Sequence, residues 1–264
     1  MDKELIASRF SKAYKSYDNA AIAQRIIHKK MLDIIVTQYN RTHFENVLEI
    51  GCGNGCFTRL IENNLDIKNW TINDLVDYID YENTFGYDKA KYVNRTFGDA
   101  ETMEFDGKYD LIISSCAIQW FNNPIEFILR LTANMTTDGI LLMSTFGNRN
   151  LYQIKDIIGI GLQYNSIEEY RESLRDFEPK IEEDEINLYF DTPYDVLKHI
   201  KNTGVTAITT DSFYWNKQRL KDFEIQYKDI YTTEYNKVKL TYHPIYIHIK
   251  NDSSFPCKLK DCKK

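Results

Sequence analysis

Three glycines at alternating positions follow a short apolar segment early in the chain. Residues 47–50 (VLEI) precede Gly51, Gly53 and Gly55, and a helical pattern begins directly after them. A glycine turn between a strand and a helix typically binds a nucleotide-like ligand, because its backbone can approach the ligand closely. A dinucleotide fingerprint would require glycine where Cys56 stands, and a phosphate-binding loop would require a following Gly-Lys-Ser/Thr. The turn therefore predicts a ligand of another kind.

An acidic residue, Glu49, lies inside the apolar segment, two positions before the first glycine. A buried carboxylate is costly unless it is paired or hydrogen-bonded. Anionic phosphates would be repelled by it, whereas a ligand with a sulfonium and an amino group would compensate its charge. Glu49 therefore indicates a cationic ligand, or a carboxylate that orders the loop around one.

The elements around the turn alternate between strand and helix. Two amphipathic helices are predicted over residues 3–39, with a break near Asp18 and Asn19. Strands are then predicted at VLEIGC, WTIND, YVNRTFGDA, YDLIISSCAIQW and GILLMSTFG, with helices between them, one of which begins at Pro124. This alternation is typical of an α/β fold in which helices cover both faces of a parallel sheet.

The second half of the chain is less regular. Residues 150–190 are charged and predict a helix-rich insertion, followed by a helix that Thr192 caps, that starts at Pro193 and that stops at Gly204. A sixth strand near 205–213, a helix around 217–230 and a strand over 245–249 follow. We divide this single domain into a helical lid (1–40), a cofactor-binding core (45–147), a helical insertion (150–203) and C-terminal strands (204–250).

Composition excludes several classes of protein. The net charge of −6 disfavours a broad nucleic-acid-binding face, which requires a cationic surplus. The five cysteines show neither metal-binding nor disulfide spacing, so neither a metal site nor a disulfide is predicted. No secretory apolar core and no stretch long enough to span a membrane is present. We therefore expect a cytoplasmic protein with no nucleic-acid or membrane partner.

The segment EIGCGNG (49–55) resembles the first motif of class I S-adenosylmethionine-dependent methyltransferases. Asp74 ends the second predicted strand and Asp99 follows the third, as in that family. The resemblance implies that Asp74 binds the ribose hydroxyls and that Asp99 accepts from the adenine amino group. It also implies a Rossmann-like, mostly parallel seven-stranded sheet, S-adenosylmethionine as cofactor and no metal. The implied cofactor-binding residues are Glu49, Gly51, Gly53, Gly55, Asp74, Leu75, Asp99, Ala100 and Ser115.

Four further segments resemble the malonyl-acyl-carrier-protein O-methyltransferases of biotin synthesis. They are RFSKAYKSYD (9–18), SSCAIQW (114–120), YFDTPYDVLKHIKNTGV (189–205) and LTYHPIY (240–246). The resemblance spans essentially the whole chain and implies methylation of the free carboxylate of malonyl-acyl-carrier protein, which primes pimeloyl and biotin synthesis. The segment TFGNRN (145–150) departs from the family's Gly/Pro-like turn and places Arg149 near the expected pocket mouth.

The implied reaction requires no general base, because a carboxylate is already ionised and nucleophilic at neutral pH. Alignment and desolvation would carry catalysis, with a few hydroxyl or amide donors, or one arginine, holding the carboxylate. Tyr17, Gln119 and Trp120 are the candidates for aligning the substrate. Arg9 and Arg149 are candidates for binding its carboxylate, and His243 is interpreted as structural.

An acidic carrier protein would require a local basic face on this acidic chain. Lys198 and Lys201, on the capped helix, are the first candidates, together with Arg149 and Lys155. Malonyl-coenzyme A is the alternative carrier of the malonyl group. A methyltransferase for a small free acid or a quinone-like compound remains open at this point, as does a catalytically inactive binding protein. A nicotinamide oxidoreductase is disfavoured by Cys56.

Overall fold

The strands of the main sheet form where the apolar runs of the sequence lie. In the computed structural model, which describes residues 1–79, 81–85, 93–204 and 215–252, five strands run parallel in the order β3-β2-β1-β4-β5. They are β1 (His43–Ile50), β2 (Asp66–Asp74), β3 (Asn94–Phe97), β4 (Tyr109–Ser115) and β5 (Met135–Phe146). This confirms the predicted parallel sheet.

Both faces of the sheet are covered, which explains why β4 is apolar at consecutive positions. Leu111 and Ile113 pack into one core with residues of several helices, and Ile112 packs into a second core on the opposite face. The helices of the described residues are α1 (Lys3–Ala20), α2 (Ile22–Asp33), α3 (Cys56–Asn64), α4 (Tyr81–Phe85), α5 (Pro124–Thr132), α6 (Tyr152–Ile158), α7 (Ile167–Ser173), α8 (Pro193–Asn202) and α9 (Lys217–Tyr231). A π-helical turn (Ile34–Gln38) extends α2.

Two antiparallel strands complete the main sheet beyond β5. Strand β9 (Pro244–Lys250) runs antiparallel to β5, and β6 (Lys180–Glu183) pairs with the other edge of β9. The result is a seven-stranded, mostly parallel sheet in the order β3-β2-β1-β4-β5-β9-β6. A separate two-stranded sheet joins β7 (Ile186–Phe190) to β8 (Val238–Tyr242).

The segment 150–203 is not purely helical, and this corrects the predicted helical insertion. It contains α6, α7 and α8 but also β6 and β7. Strand β6 is short and charged, so its sequence lacks the apolar alternation of a strand, as is common at sheet edges. Its Glu182 binds Lys30 at 3.0 Å, and that ion pair exists only in the folded chain. The strand predicted near 205–213 lies outside the described residues.

The predicted caps of α8 are confirmed. The Thr192 hydroxyl accepts from the Asp195 amide at 3.2 Å, Pro193 opens the helix, and Gly204 follows it with a φ of +74°. A Cβ atom at position 204 would stand 2.9 Å from the Phe10 ring, so glycine also permits close packing against α1. This contact brings the end of α8 against the N-terminal helix.

Candidate functional site

The glycine turn connects β1 to α3 in a conformation that favours glycine. Gly51, Gly53 and Gly55 have φ angles of +73°, +56° and +79°. The amide of Gly51 donates to the Asn73 carbonyl at 2.8 Å, which ties the turn to the end of β2. A Cβ atom at position 51 would lie 2.3 Å from that of Ala117, so only glycine allows the segment after β4 to approach.

Asp74, at the carboxyl end of β2, fixes the same turn. Its carboxylate accepts from the Gly53 amide at 2.8 Å and from the Val76 amide at 3.2 Å. Burial raises its pKa, and these backbone donors oppose the rise. The carboxylate and the neighbouring Leu75 line a large cavity, where a ligand's hydroxyl groups would reach the remaining lone pairs.

Glu49 lies beneath this cavity rather than on its wall. Its side chain is 1% exposed, and its Oε2 atom has no hydrogen-bond partner among the described residues. Burial raises its pKa to about 8, the Thr58 hydroxyl opposes the rise, and the Asp74 carboxylate adds to it. Glu49 is therefore a buried carboxyl with one oxygen atom that the described residues leave unpaired.

Asp99 and Ala100 follow β3 and line the opposite end of the large cavity. The Asp99 carboxylate accepts from the Glu101 amide at 3.1 Å and lies 3.3 Å from the Lys3 ammonium. Lys3 also binds Glu101 at 2.6 Å. The predicted adenine acid is therefore joined to the N-terminal helix by an ion-pair cluster.

Helix α1 covers the large cavity along one of its faces. The Tyr14 hydroxyl donates to the Tyr78 carbonyl at 3.0 Å, and the Asn54 amide nitrogen donates to Asp18 at 2.6 Å. These contacts hold the helix across the glycine turn and the segment after β2, which is the position predicted for a lid. Its residues on the cavity wall are Lys3, Ile6, Ala7, Phe10, Tyr14 and Tyr17.

Tyr17 stands where the large cavity meets a smaller one, the inner cavity. Phe10, Cys116 and Trp120 line both cavities as well. The Trp120 ring packs edge-on against Phe10 with centroids 5.6 Å apart. The structure therefore brings Tyr17 and Trp120, two of the predicted alignment residues, to one junction.

Gln119 faces away from the large cavity. Its side chain is 8% exposed, lines the inner cavity, and donates from Nε2 to the Cys116 carbonyl. Cys116 has a φ of +53°, a strained value for a residue other than glycine, and its amide donates to the Ser144 hydroxyl at 3.0 Å. Ser115 precedes it on the wall of the large cavity. This strained turn directs the end of β4 towards the junction.

The predicted cationic residues line none of the cavities described above. Arg9 is half-buried on α1. Arg149 binds Glu183 at 3.3 Å, and its backbone amide donates to His243 Nδ1 at 3.3 Å. Lys198 and Lys201 are exposed on α8. Lys155 is exposed on α6.

Several lining residues carry no signal that sequence reasoning could use. His28, on α2, lines the large cavity, stacks on Phe57 at 4.9 Å and stays neutral because burial lowers its pKa to about 3. Asn150 and Tyr164 lie in the irregular segment after β5, where no periodicity marks them. Tyr242 falls within the quoted segment LTYHPIY, but only the fold brings it to the inner cavity.

In the described part of the chain, no group of three or more His, Cys, Asp or Glu residues could hold a metal ion. No helix there has the length and apolar character needed to cross a membrane.

The chain is similar to known methyltransferases over nearly its whole length. A methyltransferase-domain family model matches residues 23–189. The malonyl-[acyl-carrier protein] O-methyltransferase of Porphyromonas gingivalis is 38% identical over 252 residues, covering 95% of this chain and 96% of that protein. The proteins of the same name from Bacteroides helcogenes and Haemophilus influenzae are 37% and 35% identical, over 95% of this chain and 99% and 97% of their own length.

Solved structures share the fold at low sequence identity. The YcgJ protein of Bacillus subtilis is 13% identical with a TM-score of 0.56, covering 85% of this chain and 99% of that one. The plantazolicin methyltransferase BpumL, solved with S-adenosylhomocysteine and a triazolic desmethylPZN analog, is 14% identical with a TM-score of 0.51, covering 94% and 95%.

Proposed function

This chain belongs to the malonyl-[acyl-carrier protein] O-methyltransferase family of S-adenosylmethionine-dependent methyltransferases, and from this premise we propose that it methylates the free carboxylate of malonyl-acyl-carrier protein. The product would be the malonyl methyl ester that primes pimeloyl and biotin synthesis. The observation that carries the proposal is the junction at Tyr17, where a cavity lined by the candidate cofactor-binding residues meets a second cavity whose described wall is polar and uncharged.

The residues of the large cavity fit S-adenosylmethionine. The buried Glu49 carboxyl, whose Oε2 atom is unpaired among the described residues, suits a cationic ligand, and the backbone-held Asp74 carboxylate suits the ribose hydroxyls. Asp99 would accept from the adenine amino group, beside Ala100. Gly51 and Gly53 would let the amino-acid portion approach the backbone, near Ser115. When bound, S-adenosylmethionine supplies an electrophilic methyl group on a positively charged sulfur.

The chain's own contribution to the reaction would be alignment and the exclusion of water. Tyr17 and Trp120 at the junction, with Gln119 behind them, would position the carboxylate. Helix α1 would close over the large cavity and keep water from the reacting groups. No proton has to move, because the attacking carboxylate is ionised.

An exposed basic stripe on α8 suits an acidic carrier protein. Tyr194, Lys198 and Lys201 are exposed and follow one another at helical spacing on the same face. The end of this helix contacts α1, where the Ser16 hydroxyl donates to the Asn202 carbonyl at 3.2 Å. A carrier bound to this stripe would therefore lie beside the lid.

The activity is tested by mass spectrometry of malonyl-acyl-carrier protein after incubation with enzyme and S-adenosylmethionine. We expect the mass of one added methyl group, which mild ester hydrolysis removes. Malonyl-coenzyme A and free malonate, tested in parallel, separate a carrier-dependent enzyme from one that acts on small free acids. Cofactor binding without methylation of malonyl-acyl-carrier protein would refute the proposed substrate.

The carrier surface is tested separately. The K198E/K201E double variant is expected to raise KM for the carrier about tenfold, since it reverses two steering charges, with a smaller effect at high salt. The K217E/K221E double variant on α9 changes the same charges elsewhere and should leave KM unchanged. An equal rise in both variants would show that net charge, rather than the α8 stripe, governs binding.

A further inference from the structure

The inner cavity differs from the large cavity in the chemistry of its wall. Among the described residues that line it, none carries a charged side chain at neutral pH. Its polar groups include three tyrosine hydroxyls, three side-chain amides and a threonine hydroxyl, contributed by Tyr17, Gln24, Gln119, Asn150, Tyr164, Thr203 and Tyr242.

Hydrogen bonding orients the Tyr164 hydroxyl as a donor. The Asn150 Nδ2 atom donates to the Tyr164 oxygen at 2.9 Å, and the Asn150 Oδ1 atom accepts from the His243 amide at 3.2 Å. The second bond fixes which way the amide points, so the tyrosine oxygen acts as an acceptor towards Asn150. Its own proton has no acceptor among the described residues. Burial raises the pKa of Tyr164 to about 12, so the proton stays in place.

Two further groups in the same wall are polar and buried. The Tyr242 hydroxyl lies 2.8 Å from His199 Nε2, and burial lowers the pKa of His199 to about 4, which keeps it neutral. Gln24 is 3% exposed, and its Oε1 atom has no hydrogen-bond partner among the described residues. A well-packed interior rarely leaves such an oxygen unpaired, and because it is an acceptor it would pair with a donor on the substrate, such as an amide N–H, and not with the carboxylate.

We propose that the inner cavity is the subsite for the substrate's carboxylate, held by the neutral hydroxyl donor of Tyr164 beside the junction at Tyr17. This subsite rests on the proposed function. It specifies which residues bind the acceptor carboxylate and which charge stabilises it. The carboxylate oxygen forms the new bond to the methyl carbon while the carbon–sulfur bond breaks, and that electron pair stays on sulfur. A neutral donor orients the anion without an ion pair that would weaken its nucleophilicity.

A consequence follows for the order of binding. An anion held against an uncharged protein wall is unfavourable unless a positive charge lies next to it. The sulfonium in the adjoining large cavity is that charge. The carboxylate should therefore bind well only when the large cavity holds a cationic ligand, and the neutral ester product should show no such dependence.

The test measures binding without turnover. Malonyl-pantetheine is titrated by calorimetry into enzyme saturated with sinefungin, whose amine is cationic, or with S-adenosylhomocysteine, whose sulfur is neutral. We expect about tenfold tighter binding or more with sinefungin, given the size of close charge interactions. Acetyl-pantetheine, which lacks the carboxylate, should bind equally to both complexes.

Substitutions test whether residues of the inner cavity cause the tighter binding of malonyl-pantetheine to the sinefungin complex. Tyr164→Phe should lose most of the sinefungin preference, because it removes the donor and keeps the ring. Its affinity for S-adenosylhomocysteine should be unchanged, which shows that the fold is intact. Tyr189→Phe changes an exposed tyrosine on β7 and serves as the matched control.

Two different failures are distinguishable. If the wild-type enzyme does not methylate malonyl-acyl-carrier protein, the proposed function fails and the subsite with it. If it does, but malonyl-pantetheine binds equally to both complexes or Tyr164→Phe keeps the full preference, the carboxylate lies elsewhere and only this inference is overturned.

Discussion

The two cavities that meet at Tyr17 differ in the charge of the side chains that line them. The large cavity is bounded by carboxylates that the backbone orients, as Asp74 shows by accepting from Gly53 and Val76. The described wall of the inner cavity is polar but uncharged. The protein supplies carboxylates to the large cavity, which would hold the cofactor. It supplies no cation to the described wall of the inner cavity, because the sulfonium of the bound cofactor would provide the positive charge for the acceptor. Cofactor-side variants should therefore change cofactor affinity, while inner-cavity variants should change acceptor affinity.

The largest effect is expected for Gly51→Ala, which adds a Cβ atom where Ala117 lies 2.3 Å away and φ is +73°. Strain and overpacking together suggest about a hundredfold loss of affinity for S-adenosylmethionine, or about 3 kcal/mol. Calorimetry measures the affinity, and the melting temperature reports on folding. Gly159→Ala is the control, with a φ of +71° but no atom within 4 Å of the added carbon. Equal losses in both variants would contradict the close-approach argument.

Asp74→Asn is expected to raise the Kd for cofactor about tenfold, or about 1.4 kcal/mol, because an NH₂ group replaces an acceptor of backbone hydrogen bonds. The loss should be the same for S-adenosylmethionine and S-adenosylhomocysteine, which share the ribose. Asp77→Asn, an exposed change three residues later, should have no effect. A loss confined to the sulfonium ligand would show that Asp74 acts through charge rather than through the ribose.

Glu49 should make the stability of the cofactor-free protein depend on pH. Its pKa is about 8 in the folded chain and about 4.5 when unfolded, so the folded state holds an extra proton between these values. Stability attributable to this group therefore falls as pH rises from about 4.5 to about 8. Glu49→Gln removes the titration, so its melting temperature relative to wild type should rise across this window, by a few °C at pH 8. A difference independent of pH would show that Glu49 does not titrate as inferred.

The smallest effect is expected for Lys3→Met. The ion pairs of Lys3 with Asp99 and Glu101 are partly exposed, and such pairs contribute little to free energy. Cofactor affinity should change by less than about threefold, with faster release measured by stopped-flow as the lid opens more readily. Lys12→Met, an exposed change on the same helix, should release cofactor at the wild-type rate. A large loss for Lys3→Met would mean that the lid, and not the glycine turn, dominates cofactor binding.

Many residues of the large cavity could be predicted from the sequence, because each is marked by a pattern within a short segment. Glycines with positive φ, an acidic residue at the end of a strand and the alternation of apolar strands with helices are all set within short segments. Gly51, Gly53, Asp74 and Asp99 accordingly lie where the sequence places them. Strand β6 escaped prediction because its stability depends on distant partners such as Lys30, and its own residues are charged.

The sequence by itself determined the parallel α/β fold, the glycine turn and the unusual carboxyl of Glu49, since each depends on the chemistry of neighbouring residues. Only the tertiary structure decided which side chains share the inner cavity. Gln24 comes from α2, Tyr164 from an irregular segment after α6, and Tyr242 from β8. No local pattern relates these positions, because their proximity results from packing helices and loops against the carboxyl ends of the strands.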